Sequence, residues 1–122
     1  PLTKHTRNGI GGEELNLVKR NVIIVNVSRG EIINEGDLYE FLRENPEAIA
    51  ALDVWWRYPE KDNEPTFQSY PFHELDNVIM TPHIAGFMEN IRTKVVKSAA
   101  ENIARFLRGE TPKNIAHREE YI

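Results

Sequence analysis

Three runs of strand character, Val22-Ile23-Ile24-Val25, Ala48-Ile49-Ala50-Ala51 and Val78-Ile79-Met80, alternate with segments of helical spacing. Strands that alternate with helices imply right-handed crossovers and a mostly parallel sheet. The predicted order is helix–strand–helix–strand–loop–strand–helix, an α/β fold. Each run leads directly into a short polar signature: Asn26-Val27-Ser28-Arg29-Gly30, Leu52-Asp53-Val54-Trp55 and Thr81-Pro82-His83-Ile84-Ala85-Gly86. In an open α/β sheet, ligands bind outside the carboxyl ends of the strands. One arginine, one aspartate and one histidine are therefore expected at the same sheet edge.

The elements follow from local pattern. Residues 13–19, with Leu15, Leu17 and Val18, predict a short helix, and Lys19 and Arg20 suit its negative end. Residues 22–27 are nearly continuous in β-branched side chains, as in a strand covered on both faces. Asn34 offers an N-cap oxygen with Asp37 three residues on, and Leu38, Phe41 and Leu42 recur at helical spacing. Asn45-Pro46 ends that helix, because proline disfavours helical geometry in its predecessor. Residues 48–54 and 77–81 are the second and third strands. Between them, residues 55–76 form a proline-punctuated, aromatic-rich connection of a length that often carries function. Met88, Ile91, Val95, Ala99, Ile103 and Phe106 trace an apolar stripe over 88–107, and Gly109 stops the helix.

With 122 residues the chain fits one domain. A net charge of −4 argues against nucleic acid or a membrane surface as a partner, since both favour a basic face. No apolar run approaches membrane-spanning length, and no signal pattern opens the chain, so cytoplasm is the default location. Without cysteine there is neither a disulfide framework nor a thiolate metal site. His5, His73 and His117 have no metal-ligand spacing, and no metal is expected. The opening Pro1-Leu2-Thr3, without an initiator methionine, and the thin three-strand sheet together read as a piece of a longer protein.

Arg29 at a strand end can hold a carboxylate or phosphate with two parallel hydrogen bonds. From its tripeptide alone an exposed arginine in a turn is the favoured reading. His83, aimed by Pro82, suits general acid–base work near neutral pH, and equally suits packing with one nitrogen on backbone. Asp53 ends an apolar strand and needs a partner, because a buried carboxylate is costly without one. A ligand amide, a backbone turn and Arg29 are the candidates. Trp55 and Trp56 read as packing or rim residues. Arginine and histidine at one sheet edge, beside a place for a nucleotide, suit the chemistry of a 2-oxo or 2-hydroxy acid.

These segments, taken with their spacing, resemble the D-isomer-specific 2-hydroxyacid dehydrogenases from mid nucleotide-binding domain onward. Pro1-Leu2-Thr3 with Thr6 is similar to a "PLTxxT" loop near the dinucleotide. Val25-Asn26-Val27-Ser28-Arg29-Gly30 is similar to "VNxSRG", and Ala51-Leu52-Asp53-Val54-Trp55 to "ALDVW". Pro71-Phe72, Asn77-Val78 and Thr81 to Gly86 are similar to "PF…NV…TPHxAG". The resemblance implies a partial Rossmann-like doubly wound parallel sheet, its second half, with a long C-terminal helix. Residues 1–108 would be the second half of a dinucleotide-binding domain, and 109–122 a tail returning to the substrate domain. It implies Arg29 as substrate-binding arginine and His83 as catalytic acid/base. Pro1, Thr6, Asn26, Val27, Ser28, Arg29, Asp53, His83, Ala85 and Gly86 would lie along NAD or NADP, with Asp53 at the nicotinamide carboxamide. A small 2-oxo or 2-hydroxy acid is the implied substrate, and a homodimer through the nucleotide-binding domain the implied assembly.

The sequence departs from the family in two places. It holds no "GxGxxG" turn to grip a pyrophosphate, so the isolated chain is expected to be inactive. The family's "DVWxxEP" glutamate, partner of the histidine, is replaced by Tyr58 ahead of Pro59, with Glu60 and Glu64 nearby as substitutes. A phenol cannot stabilise imidazolium as a carboxylate does. That leaves room for a formate-dehydrogenase-like relative, whose chemistry moves hydride without a proton to oxygen. A non-catalytic dimerisation module and a dinucleotide sensor are the readings from other classes.

Overall fold

The computed structural model describes residues 1–58 and 68–121. Three parallel strands, β1 (Ile23–Asn26), β2 (Ile49–Leu52) and β3 (Val78–Met80), form a sheet in the order β1-β2-β3. The registers pair Ile23 with Ile49 and Ala50 with Val78. The ladder continues past the strand ends, where Asp53 N–H donates to the Asn26 carbonyl (3.0 Å) and Thr81 N–H to that of Leu52 (3.0 Å). All three polar signatures therefore leave the sheet at one edge.

The first expected helix is shorter than its sequence pattern. Helix α1 covers only Gly12–Leu15, capped where Glu14 accepts from Gly11 N–H and Asp37 from Gly12 N–H. Leu15 is buried, but Leu17 is 87% exposed and Val18 also faces solvent. The chain turns once Leu15 is seated, because no apolar surface awaits the next turn. Helix α2 (Glu35–Glu44) starts and stops as its sequence predicts. The Asn34 side chain accepts from Asp37 N–H (3.1 Å), and Asn45 closes the last turn onto the Phe41 carbonyl.

Leu38 and Leu42, one turn apart, seat α2 on the sheet face made by Ala50, Leu52 and Val78. Phe72 completes this core, stacked on Trp56 (centroids 5.3 Å, planes 10° apart) and edge-on to Tyr39 (5.4 Å). The Asn77 amide donates to the carbonyls of Leu42 and Ala48, tying the end of α2 to the start of β2.

The expectation that residues 22–27 are covered on both faces is corrected. Ile23 (66% exposed), Val25 (63%) and Ile79 (60%) lie on a bare face of the sheet. Helix α3 (Ile91–Leu107) begins three residues later than expected and does not cover that face. Val95, Ile103 and Phe106 of its stripe stay exposed, and its end is tied to residues 111 and 113 through Arg105 and Asn102. Gly109, at φ +73°, ends it in the left-handed conformation that glycine adopts without penalty. Among the described residues no helix is long and apolar enough to cross a membrane. Pro59, Glu60, Glu64, Pro65 and Phe67 of the long connection lie outside the described residues.

Candidate active site

Asp53, buried at the end of β2, organises the site. One oxygen, Oδ1, accepts from the Thr81 hydroxyl (2.5 Å) and Ile84 N–H (2.9 Å), and Oδ2 accepts from Ala85 N–H (2.8 Å). Of the three candidate partners, the backbone turn is the one present, with Thr81 added. Burial works to raise the Asp53 pKa. The Thr81 hydroxyl, the two amides and nearby His83 outweigh it and hold the carboxyl below its ordinary value. Asp53 is therefore ionised at neutral pH. A carboxylate offers about four lone-pair directions, of which three are used here, so Asp53 retains acceptor capacity for one more donor.

The same three bonds shape His83. With Thr81 and Ile84–Ala85 pulled onto one carboxylate, the intervening Pro82-His83 is forced out as a corner, and His83 takes φ +57°. Such a conformation is uncommon outside glycine, although histidine is among the residues enriched in it, and it persists where surrounding contacts over-determine it. The imidazole is exposed and makes no side-chain hydrogen bond with the described residues. The packed-histidine alternative is thus not what the structure contains. Its ring meets that of Tyr58, with centroids 5.5 Å apart and planes 38° from parallel.

His83 separates two cavities. One, of about 340 Å³, is lined by Val27, Asp53, His83, Gly86, Phe87 and Ile91. The other, of about 630 Å³, is bounded by Trp55, Tyr58, Met80, Pro82 and His83 among others. Val27, Asp53, His83 and Gly86 of the expected dinucleotide residues thus share the smaller cavity, and Ala85 is joined to it through its N–H on Asp53. Asp53 offers that cavity an anionic acceptor, which fits the amide donor of a nicotinamide. Phe87 and Ile91 are lining residues that the motif reasoning did not assign, and their apolar character at the head of α3 is the signal for them.

The loop after β1 is built by Asn26 and Gly30. Asn26 is buried, its oxygen accepting from Ser28 N–H (3.1 Å) and the Ser28 hydroxyl (3.0 Å), and its amide donating to the Arg29 carbonyl (2.9 Å). Gly30 passes under the 55–56 backbone, where a Cβ would come within 2.5 Å of the Trp55 carbonyl oxygen and 2.7 Å of the Trp56 nitrogen. The Arg29 side chain is exposed and folds onto the Ser28 carbonyl (2.6 Å). It lines neither cavity beside His83. Thr6 uses its hydroxyl within its own turn, donating to the Pro1 carbonyl (2.9 Å) and accepting from Thr3 N–H (2.8 Å). Trp55 is buried with its indole N–H on the Thr81 carbonyl (3.2 Å), and the Trp56 indole donates to Ile33 (2.7 Å). Both pack into the fold, and Trp55 also forms part of the rim of the larger cavity, within the expectation of packing or rim residues. Among the described residues no acidic, histidine or cysteine cluster could hold a metal.

Residues 1–85 match the family described as D-isomer specific 2-hydroxyacid dehydrogenase, NAD binding domain. The chain is 40% identical over 119 residues to a glyoxylate reductase of Aeropyrum pernix, covering 98% of this chain and 34% of that protein. It is 44% identical over 117 residues to a D-3-phosphoglycerate dehydrogenase of Methanocaldococcus jannaschii, covering 96% of this chain and 21% of that one. In structure it is similar to a candidate formate dehydrogenase from Pyrobaculum aerophilum, with a TM-score of 0.83 and 36% identity over all of this chain and 40% of that one. The chain spans about a third or less of the length of these curated relatives. With its three-strand parallel sheet of Rossmann-like build and matches of this extent, the chain belongs to the D-isomer-specific 2-hydroxyacid dehydrogenase family, its residues 1–85 matching the NAD-binding domain.

Proposed function

We propose that this chain forms the second half of a dinucleotide-binding domain, residues 1–108, in an NAD(P)-dependent dehydrogenase of small 2-hydroxy acids. Residues 109–122 lead from it toward a substrate domain. The observation that carries the reading is the clamp of Asp53 on Thr81, Ile84 and Ala85, which presents His83 beside a cavity that Asp53 also lines. The glyoxylate reductase and phosphoglycerate dehydrogenase relatives support substrates of the glyoxylate, hydroxypyruvate or phosphoglycerate type.

Bound nicotinamide supplies or accepts the hydride at the substrate's C2. Asp53 would accept a hydrogen bond from the carboxamide of that group and so orient it relative to His83. Arg29 swings from the Ser28 carbonyl to hold the substrate carboxylate with two charge-assisted hydrogen bonds. In the reducing direction, His83 imidazolium donates its proton to the C2 oxygen as the carbonyl carbon gains hydride. The products are the 2-hydroxy acid, oxidised dinucleotide and neutral imidazole, which takes its next proton from solvent. Val27 and Gly86, which line the same cavity as Asp53 and His83, would hold the nicotinamide end of the dinucleotide there.

NADH and NADPH oxidation by the complete gene product, with glyoxylate, hydroxypyruvate and pyruvate, tests the reading. His83→Gln is expected to lower kcat about 10²–10⁴-fold, the usual contribution of a general acid. Arg29→Ala removes charge-assisted bonds of about 1.5–3 kcal/mol, which lowers kcat/KM on the order of 10–100-fold. Wild-type activity in either variant removes that residue from the mechanism.

A second reading, formate oxidation, is favoured by the Pyrobaculum similarity and by Tyr58 at the glutamate position. Formate passes a hydride and leaves as carbon dioxide, so it needs no proton at His83. Formate-dependent NAD reduction that survives His83→Gln selects it. The bare sheet face of Ile23, Val25 and Ile79 supports self-association as part of the same proposal, and sedimentation of the complete gene product tests it.

A further inference from the structure

We infer that Tyr58 is a positioning residue for His83 and that it acts through its ring rather than its hydroxyl. The inference rests on the proposed role of His83 as proton donor. The main chain at His83 is pinned on both sides: Pro82 precedes it, and the Asp53 carboxylate grips Thr81, Ile84 and Ala85 around it. What the clamp leaves undetermined is the side-chain torsions. The imidazole has no side-chain hydrogen bond with the described residues to set them, and its described side-chain contact is the Tyr58 ring. A centroid distance of 5.5 Å lies within the range of attractive ring pairs.

Tyr58 is itself fixed from below. Its hydroxyl accepts from Trp55 N–H (3.1 Å), while the Trp55 indole donates to the Thr81 carbonyl (3.2 Å). The links close a circuit from Thr81 through Trp55 and Tyr58 to His83, two residues after its start. A shift of Tyr58 relative to β3 is resisted at both ends. With its oxygen aimed down at the Trp55 amide, the phenol presents a ring to the histidine. The orientation of the imidazole is therefore set by packing at this position.

The decisive pair of variants is Tyr58→Phe and Tyr58→Leu in the complete gene product. Both lose the bond to Trp55 N–H, so both share its structural cost, and they differ only in the ring. Misplacing a reacting group by about 1 Å costs on the order of 10²-fold. Tyr58→Leu is accordingly expected to lower kcat on the order of 10–100-fold with the KM for NADH unchanged. Tyr58→Phe keeps the ring against His83 and loses the bond to Trp55 N–H, so its kcat is expected to fall several-fold less than that of Tyr58→Leu.

Proton NMR gives a second readout that a merely structural role does not move. The ring-current shift of the His83 Cε1 proton should persist in Tyr58→Phe and vanish in Tyr58→Leu. If Tyr58→Leu does not fold, Tyr58→Met replaces it as the ringless variant. The inference is overturned if the ringless variant matches Tyr58→Phe in kcat. It is equally overturned if Tyr58→Phe falls as far as the ringless variant, since the hydroxyl is then the working group. His83→Gln serves as the separate control: full activity there removes the parent reading whatever Tyr58 does.

Discussion

Gly30→Ala isolates the junction between the arginine loop and the aspartate strand. Gly30 has a negative φ, so an alanine there meets no backbone penalty, and the effect is one of space. The added methyl would sit 2.5 Å from the Trp55 carbonyl oxygen and 2.7 Å from the Trp56 nitrogen, both main-chain atoms. An ordinary contact needs roughly 3.4 Å or more, so the 55–56 backbone or the Arg29 loop must move by about 1 Å. Overpacking of this kind costs about 1–3 kcal/mol. Against it stands a gain of about 0.4–1 kcal/mol, because alanine restricts the unfolded chain more than glycine does. The two effects have opposite signs, and the larger decides. A methyl this close to main-chain atoms takes the upper part of the overpacking range, about 2–3 kcal/mol, which leaves a net loss of about 1–2.5 kcal/mol and, in a longer protein, a Tm lower by roughly 2–10 °C. Thermal unfolding followed by circular dichroism measures it in the complete gene product, with kcat/KM determined in parallel because the shift displaces Arg29 relative to Asp53. A Tm equal to or above wild type would mean that the close approach at Gly30 is not real, and with it the account of why glycine follows Arg29.

Asp53→Asn is expected to destabilise in a pH-dependent way. A carboxyl whose pKa is depressed in the folded state contributes stability above its unfolded value and loses it as pH falls through the folded one. The gap in Tm between wild type and variant should thus be full at pH 7 and close below about pH 4; a gap that stays constant into stronger acid refutes ionisation as its source. Phe72→Ala deletes a fully buried ring stacked on Trp56 and should cost about 3–5 kcal/mol. Its denaturation midpoint should fall below that of Gly30→Ala, and the reverse order would mean that the core is not centred on Phe72.

The strands and their common edge were legible because the signals are local: an apolar run, then polar residues that cannot continue it. The start and stop of α2 were legible for the same reason, since Asn34 and Asn45-Pro46 act on the nearest backbone groups. Residues 13–19 misled, because Leu17 and Val18 have helical spacing yet no surface to bury them. The bare sheet face was equally invisible, as Val25 looks the same in sequence whether or not something covers it. At the site, Thr81 could be suspected from its hydroxyl at a strand end. Ile84 and Ala85 could not, because every non-proline residue carries the same N–H and nothing in a side chain marks which amide will be used. The choice among the three partners of Asp53 was therefore a question for the folded chain.

The two proposed catalytic side chains are held to different standards, and the difference is physical. Proton transfer needs the donor atom within hydrogen-bond reach of one oxygen, and His83 is short, clamped in its backbone and flanked by a ring. Carboxylate binding needs only that a charged fork arrive, and Arg29 waits on a long arm against its own loop. One of its five donors is engaged with the Ser28 carbonyl, so a substrate carboxylate has to displace only that bond to recruit the group. Rigidity is concentrated at His83, the proposed proton donor. The arm proposed to recognise substrate stays outside both cavities, and only the tripeptide that carries it, braced by Asn26 and Gly30 against β2, is fixed in advance.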